Sequence, residues 1–398
     1  MIDRPTYLDA IKPFVGTNVI KVLIGVRRSG KSTILKQVCD NLLASGVPET
    51  ACITMNLESG MFASINTADQ LYSYLSERVA PQGKTRIFLD EVQQIEGWER
   101  ALRSLMVDFD VDLYITGSNA HLLSSELATF ITGRYVQIPV YPLSFKEYLT
   151  GLNQLAPTDS RTAFKRFLVQ GGFPFQSELA FEQAPTLQYV EGVYSTVLLK
   201  DVVQRVGVRD PDLLTRVLGY VIEQVGHTFS ATNIAAYLKS ERRKVSVETV
   251  YGYLRAAEAA CLIYRVKRED SIGKQALRFN EKFYLVDQGI RQALGYANAN
   301  AIDQVLENIV CMELLRRGYE VRVGKAGDKE VDFVAVRGEE RAYFQVTYII
   351  ASPQTEEREF SALEAIPDNY PKTVLSLDEF PRSRNGIQGV NLIDWLLE

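Results

Sequence analysis

The chain has 398 residues, more than one ordinary hydrophobic core accommodates, and its length suggests two or three domains. Apolar residues make up 46% and charged residues 23% of the chain, which is typical of a globular protein and excludes a disordered one. The net charge of −5 gives no whole-chain attraction for nucleic acid, and the apolar runs are too short to span a membrane.

The cysteines and the N-terminus indicate a compartment. The segment MIDRPTYLDAIKPF lacks the charged-then-apolar pattern of a signal peptide. The four cysteines form no C-x-x-C pair and the chain has only two histidines, so a zinc site is not expected. We therefore expect a cytoplasmic protein without a membrane partner.

The first motif along the chain is a phosphate-binding loop, 25-GVRRSGKST-33. It matches G-x-x-x-x-G-K-[ST], follows a predicted buried strand at 19–24 and precedes a predicted helix at 34–45. Such a loop surrounds a phosphate with backbone N–H groups, so ATP and Mg²⁺ are the expected ligands. Lys31 is expected to neutralise the β and γ phosphates, and Ser32 to ligate Mg²⁺. The predicted nucleotide-binding residues of the loop are Gly25, Arg28, Ser29, Gly30, Lys31, Ser32 and Thr33.

Two later strands end in polar residues. In the run 86-RIFLDEVQQI-95, a predicted strand begins with one basic and three apolar residues, and Asp90 and Glu91 stand at its end. Asp90 suits the water shell of Mg²⁺, and Glu91 suits a base that polarises the attacking water. A third strand, 111-VDLYITGSNA-120, ends in Ser118 and Asn119, either of which could bind the γ-phosphate or that water. Arg134 follows a predicted helix at 121–131 and precedes a further strand.

Together these segments resemble the AAA+ ATPases across the first 150 residues. The segments GVRRSGKST, FLDEVQ, TGSNAHLLS and TGRY…YPLSFKEY are similar to one bacterial and archaeal branch, and the likeness continues through 171-GGFP-174 and 198-LLKDVV-203. The resemblance implies that Asn119 or Ser118 is the first sensor and Arg134 the arginine finger of a neighbouring subunit's site. No residue is assigned to the second sensor. A parallel sheet of five strands (19–24, 51–57, 86–90, 111–117 and 135–140) fits this core and places a ligand at its carboxyl edge.

A basic segment follows the core and a predicted helical lid. Residues 239–268 contain eight basic and three acidic side chains, an excess of five positive charges. Two predicted helices, 228–240 and 246–260, and two predicted strands, 261–268 and 276–287, resemble a winged helix-turn-helix domain. We expect Ser246 to cap the second helix, Val247, Val250, Tyr251 and Leu254 to be buried, and Thr249, Tyr253 and Arg255 to face outward. DNA contact and a solvated helical face both remain open.

The last hundred residues resemble the restriction-endonuclease-like nucleases. A predicted helix at 303–318 and strands at 319–323, 330–336 and 341–348 place Glu307 and Asp332 at two metal-ligand positions. At the remaining positions of that resemblance stand Gln345, a poorer ligand for a hard cation, and Thr347, which is uncharged in place of a lysine. Loss of a charged stabiliser lowers rates by orders of magnitude, so this region is expected to be inactive as a nuclease.

The sequence therefore predicts an α/β protein with four parts. These are an AAA+ P-loop core at 1–141, a helical lid at 142–206, a winged helix-turn-helix domain at 207–295 and a restriction-endonuclease-like domain at 296–398. The predicted function is Mg²⁺-dependent ATP hydrolysis in a homo-oligomer, with a ring as the usual closed form, coupled to a C-terminal region that binds DNA, branched or structured DNA included, or a protein partner. The alternatives are a non-hydrolysing nucleotide-gated switch and an ATP-regulated nuclease.

Overall fold

A computed structural model of the chain describes residues 2–118, 133–204, 208, 210–240, 245–271, 273 and 275–398, without the side chains of 275–280. These residues form two compact units. The first comprises Ile2–Tyr141 with Ala259–Cys261, and the second comprises Pro142–Glu258 with Leu262–Glu398. No helix among the described residues is long and apolar enough to cross a bilayer.

The first unit is built on a parallel sheet of five strands: β1 Ile20–Ile24, β2 Cys52–Asn56, β3 Thr85–Asp90, β4 Val111–Gly117 and β5 Tyr135–Pro139. The strand order is β2-β3-β4-β1-β5, and every neighbouring pair is parallel. The predicted five-stranded parallel sheet is confirmed. Its described helices are α1 Pro5–Ile11, α2 Lys31–Ala44, α3 Ala68–Ser76 and α4 Trp98–Asp108.

The core of this unit explains why β1, β3 and β4 occupy the middle of the sheet. Every residue of β1 and β4 is buried, as expected for strands covered on both faces. Leu23, Ile34, Phe88 and Tyr114 pack in one cluster, in which the Phe88 and Tyr114 rings stack at a centroid distance of 4.7 Å. The helix α2 thus packs against the sheet directly behind the loop that joins it to β1.

The second unit begins with helices α5 Phe145–Asn153, α6 Ser160–Gln170 and α7 Gln183–Thr196, followed by a π-helix at Val197–Gln204. The Asp287 carboxylate accepts hydrogen bonds from the N–H groups of Gly172 (2.6 Å) and Gly289 (2.8 Å). Gly171 has φ +72°, and a Cβ there would lie 1.8 Å from Asp287 Oδ1. The glycines of the 171–174 motif therefore provide the close approach that this buried carboxylate requires.

The middle of the second unit consists of α8 Pro211–Glu223, β6 Thr228–Phe229, α9 Ala231–Ser240, α10 Val247–Ala259, β7 Ile263–Asp270, β8 Gln275–Leu285 and α11 Gln288–Ala293. The Ser246 cap is confirmed, because Ser246 Oγ accepts from the Thr249 N–H at 3.0 Å. Two orientations in α10 are wrong. Tyr253 is buried with its hydroxyl 3.4 Å from the Asp210 carbonyl oxygen, and Val247 is 37% exposed, because α10 packs from Val250 onward.

The rest of the unit consists of α12 Ile302–Arg316, β9 Glu320–Ala326, β10 Lys329–Arg337, β11 Glu340–Val346, α13 Pro353–Glu364, β12 Lys372–Ser376, β13 Gln388–Asn391 and α14 Leu392–Leu397. One eight-stranded sheet runs in the order β13-β12-β11-β10-β9-β7-β8-β6. The hairpin β7–β8 is antiparallel, whereas β7 joins β9 in parallel, with Arg268 opposite Val323. Strands on both sides of the predicted boundary at 295/296 thus share one sheet, and the domain boundaries stay predictions.

Candidate nucleotide-binding site

The phosphate loop connects the buried strand β1 to α2. A Cβ at Gly25 would lie 2.0 Å from the Val140 carbonyl oxygen, so only glycine fits there. Gly30 has φ +98° and precedes Lys31, the first residue of α2. Arg28 also has a positive φ of 66°, which is uncommon for a side chain with a Cβ. The loop therefore turns sharply and ends where α2 begins.

The beginning of α2 has the features of an anion site. Among the described residues, no side chain caps the N-terminus of this 14-residue helix, and its first N–H groups carry the positive end of the helix dipole. Ser32 lies exposed in this first turn and Thr33 is half-buried beside it. Ser29 is fully buried, and its Oγ has no hydrogen-bond partner among the described residues. This unsatisfied hydroxyl fits a loop that donates hydrogen bonds to a phosphate.

Lys31 is directed back into the loop. Its Nζ donates to the carbonyl oxygens of Gly25 (2.9 Å) and Val26 (3.0 Å). Burial lowers the pKa of Lys31, and the nearby Glu91 and Asp90 carboxylates oppose that change. The loop lysine and the two acids at the end of β3 thus influence one another electrostatically.

Asp90 and Glu91 are held by Thr116 of the neighbouring strand β4. Thr116 Oγ1 donates to Asp90 Oδ1 at 2.5 Å and accepts from the Glu91 N–H at 2.9 Å. Glu91 has φ +56°, a left-handed conformation that costs about 1 kcal/mol for a residue with a Cβ. The Thr116 hydroxyl therefore stabilises the strained turn that places two adjacent carboxylates at the carboxyl end of β3.

Gln93 links Glu91 to Ser118. Its Nε2 donates to Glu91 Oε2 and lies 3.4 Å from Ser118 Oγ. Ser118 is fully buried at the end of β4, one of the two positions predicted for the first sensor. The other, Asn119, and the predicted helix at 121–131 lie outside the described residues.

Arg134 lies at the opposite edge of the sheet. It is exposed, and its carbonyl oxygen accepts from the N–H of Ile20, the first residue of β1. Four residue steps separate Ile20 from Ile24 at the end of β1, a distance of about 13 Å along the strand. The structure thus gathers Lys31, Asp90, Glu91 and Ser118 at one edge of the sheet and places Arg134 away from them.

Three contributors to this site have no motif of their own in the sequence. They are Thr116, Gln93 and Arg4. The Arg4 side chain is buried and donates to the carbonyl oxygens of Ser29 (3.1 Å) and Tyr141 (3.0 Å), which fixes the loop to the chain after β5. Only the position of Thr116 near the end of a strand beside Asp90 could have suggested a role.

The metal sites predicted from sequence differ in their fit. Mg²⁺ in a P-loop is coordinated mainly by phosphate and water, and one or two protein oxygens suffice. The Ser32 hydroxyl and the Asp90 carboxylate meet that requirement. Across residues that the structure describes, no three His, Cys, Asp or Glu side chains are grouped as a metal site.

The acids predicted in the nuclease-like region surround a lysine. Lys282 of β8 is 4% exposed, and its Nζ lies 3.0 Å from Glu307, 2.9 Å from Glu330 and 3.9 Å from Asp332. Burial alone would lower the pKa of Lys282, but the Glu307, Asp332 and Glu330 carboxylates raise it above its usual value. An ammonium group therefore lies beside Glu307 and Asp332, the two predicted metal-ligand positions.

Gln345 and Thr347 lie close to this cluster and have structural contacts. Gln345 Oε1 accepts from the Asp332 N–H at 3.3 Å, and Asp332 Oδ2 accepts from the Val346 N–H at 2.8 Å. Thr347 is buried and its N–H donates to the Leu375 carbonyl oxygen. Burial and the neighbouring Glu307 raise the pKa of Asp332 well above its usual range. These contacts favour a retained scaffold over metal-dependent chemistry.

Much of the described basic segment is neutralised locally. Arg255 pairs with Glu248 at 2.8 Å, Arg265 pairs with Glu258 at 2.9 Å, and Arg268 pairs with Glu330 at 3.0 Å. The remaining basic cluster, 242–244, lies outside the described residues. Lys239 and Lys267 are exposed.

Comparisons with known proteins concern the domain that contains this site. Residues 17–149 match the model of a family described as an AAA domain, and residues 161–301 match a domain of unknown function, DUF8612. The solved structure of a Walker-type ATPase, PABY2304 of Pyrococcus abyssi, superposes with a TM-score of 0.52 at 15% identity over 74% of this chain and 96% of that one. Residues 17–149 are thus similar in sequence to AAA domains, and their phosphate loop and parallel sheet have the fold of a Walker-type ATPase structure.

Whole-chain relatives place the protein more narrowly. An uncharacterised protein of Haemophilus influenzae is 38% identical over 100% of this chain and 99% of the relative. One from Methanocaldococcus jannaschii is 29% identical over 88% of this chain and 79% of the relative. The chain belongs to the family of the Haemophilus protein.

Proposed function

We propose that this protein hydrolyses ATP with Mg²⁺ at the phosphate loop of its first unit. The observation that carries the proposal is that Lys31, in the loop after β1, and the carboxylates of Asp90 and Glu91, at the end of β3, lie at the same carboxyl edge of one parallel sheet. A loop that only bound nucleotide would require the lysine and the helix N-terminus, but no carboxylate base in a strained turn.

The residues present account for the chemistry. The amides of the loop and the Lys31 ammonium bind the triphosphate, and Ser32 and Asp90 would hold Mg²⁺, which supplies neutralisation of phosphate charge. Glu91 accepts a proton from the attacking water. The water oxygen then bonds to the γ-phosphorus, the bond from that phosphorus to the β–γ bridging oxygen breaks, and ADP leaves with that electron pair.

The proposal includes a homo-oligomer in which Arg134 acts on a neighbouring protomer. Its position about 13 Å along β1 from its own phosphate loop supports this assignment, because an arginine at that end of the strand is too distant to reach its own nucleotide. An arginine supplied in trans stabilises transition-state charge, and a closed ring is the usual arrangement for such a repeated contact.

Steady-state phosphate release with calorimetric ATP binding tests the proposal. Lys31→Ala should lose tight ATP binding, whereas Glu91→Gln should bind ATP and lose about 10²-fold or more in turnover. A wild-type protein that binds ATP without releasing phosphate would instead favour the nucleotide-gated switch. Hydrolysis by Glu91→Gln within about threefold of wild type would remove Glu91 as the base.

A second proposed function is DNA binding by the segment α8–β8. The order helix, strand, two helices and hairpin, with β6 beside β8, is the layout of a winged helix, which places its later helix against DNA. In the sequence the basic cluster 242–244 lies between the segments that form α9 and α10. Phosphate release measured with single-stranded, duplex and branched DNA, together with gel filtration of each mixture, tests whether DNA binds and stimulates turnover.

We further propose that the nuclease-like region does not cut DNA. Its Glu307 and Asp332 carboxylates surround Lys282, and Gln345 and Thr347 supply neither a third carboxylate nor a charged stabiliser. Incubation of supercoiled plasmid with Mg²⁺ or Mn²⁺ and ATP tests this, and nicking that persists in Lys31→Ala but disappears in Asp332→Asn would contradict it.

A further inference from the structure

Gln93 forms a contact that phosphate binding does not require. It lies in a short 3₁₀ turn, Val92–Gln94, directly after the strained Glu91. Thr116 holds the Glu91 backbone, but that bond leaves the Glu91 side chain to be oriented by something else. Gln93 supplies this second contact, because its side chain donates to Glu91 Oε2.

The chemistry of the two groups determines which way the Gln93 amide faces. A carboxylate accepts hydrogen bonds and does not donate them, so the amide nitrogen, not the amide oxygen, must point to Glu91. The same nitrogen is 3.4 Å from Ser118 Oγ. The amide oxygen, Oε1, is then directed elsewhere.

Gln93 Oε1 is buried and has no hydrogen-bond partner among the residues that the structure describes. Buried amide oxygens are normally paired, so a donor belongs at this position when the site is functional. The two polar atoms of one rigid amide thus contact the base on one side and require a donor on the other. A water molecule has two O–H groups and can donate to both the Glu91 carboxylate and Gln93 Oε1.

We propose that Gln93 is a positioning residue for ATP hydrolysis. Its Nε2 orients the Glu91 carboxylate, and its Oε1 accepts the hydrogen of the attacking water that Glu91 does not remove. The proton itself goes to Glu91, and Gln93 exchanges none. This inference rests on the proposed hydrolysis and assigns to Gln93 an effect on turnover and none on ATP affinity.

The test compares Gln93→Met with Gln94→Met. Methionine keeps the length of the glutamine side chain but has neither polar atom, and Gln94 is the exposed neighbour in the same turn. Gln93→Met should lower kcat by about 10- to 100-fold, part of what a positioned base contributes, with ATP affinity unchanged within about twofold. Gln94→Met should match wild type. Thermal melts show whether each variant folds, and Gln93→Glu, which lacks the donor, should show the same loss if Gln93→Met does not fold.

Combining the change with Glu91→Gln separates positioning from structure. If Gln93 acts through Glu91, the double variant Glu91→Gln/Gln93→Met should be no more than about twofold slower than Glu91→Gln alone. The proposal would be refuted if the losses of kcat in the two single variants multiplied in the double variant. It would also be refuted if Gln93→Met kept a kcat within about threefold of wild type, or if it lost as much ATP affinity as kcat. A wild-type protein without phosphate release would refute both the proposed hydrolysis and this role, whereas an active wild type with an equally active Gln93→Met would refute this role alone.

Discussion

Replacing Lys282 by methionine should destabilise the second unit strongly. The Lys282 side chain is 4% exposed and contacts Glu307 at 3.0 Å and Glu330 at 2.9 Å. Removing one partner of a buried ion pair costs about 3–5 kcal/mol, because the other charge is left buried without compensation. Glu330 is 35% exposed and can be hydrated, so we expect the lower end, about 3 kcal/mol.

Thermal and urea unfolding measure this loss. For a unit of roughly 250 residues, a loss of 1 kcal/mol lowers Tm by about 2–4 °C, so Lys282→Met should melt about 6–12 °C below wild type. Lys325→Met is the matched control, because Lys325 is an exposed lysine of β9, which lies in the same sheet and is separated from β8 by β7. It should change the free energy of unfolding by no more than about 0.5 kcal/mol.

A second substitution identifies the cause. Lys282→Met/Glu307→Gln removes a charge from each side, and a neutral amide in place of the stranded carboxylate should restore part of the lost stability. The reasoning fails if Lys282→Met lowers the free energy of unfolding by less than about 1 kcal/mol, or if adding Glu307→Gln lowers it further. In either case the carboxylates do not depend on Lys282 for their compensation.

Three further predictions concern other parts of the chain. Arg134→Ala should bind ATP but lose about 10³-fold or more in hydrolysis, and mixing it with Lys31→Ala should restore partial activity; inactive mixed oligomers, identified by mass spectrometry, would exclude action in trans. Replacing the three basic residues of 242–244 by alanine should lower the slope of log affinity against log salt by about 0.9 for each DNA phosphate that is no longer neutralised, and an unchanged slope would assign them to ordinary surface. Burial raises the pKa of Asp287 from 3.8 to about 6, so the folded state keeps a proton that the unfolded state releases, and stability should fall by about 3 kcal/mol as pH rises from about 4 to 6. Asp287→Asn should flatten that dependence in urea titrations, and an unflattened curve would show that another group causes it.

The sequence locates the phosphate loop and the strands around it because their patterns are local. Each strand of the first unit is a short apolar run, and the residues after β1 and β3 follow directly from the chain. The contacts of Thr116 and Gln93 with Glu91 are harder to predict, since they depend on side-chain orientation within a strained turn. Hydrophobic periodicity predicted that α10 exists but not which of its faces is buried. The Tyr253 hydroxyl contacts the carbonyl oxygen of Asp210, which precedes α8 and is 43 residues earlier in the chain.

The acids around Lys282 show a second limit of prediction from the sequence. Glu307 and Asp332 could be found from their predicted helix and strand, yet Lys282 lies in a hairpin assigned to another predicted domain. Its charge could not be paired with theirs until the sheet order was known, because β7 joins β9 across roughly fifty intervening residues. Long-range pairing of strands is decided by tertiary packing, which no local pattern reports.

The shared sheet has a consequence for how the protein can be divided. The matched domain of unknown function ends at residue 301, before β9, so a fragment cut there would leave one edge of β7 without its partner strand. Such an edge is a template for association with other chains. The same cut would remove Arg322 and Arg341, which both pair with the fully buried Glu269 of β7, and a buried carboxylate would lose its compensation. The segment that matches a sequence family is thus shorter than the segment whose strands form the shared sheet, and expression trials should keep residues 142–398 together.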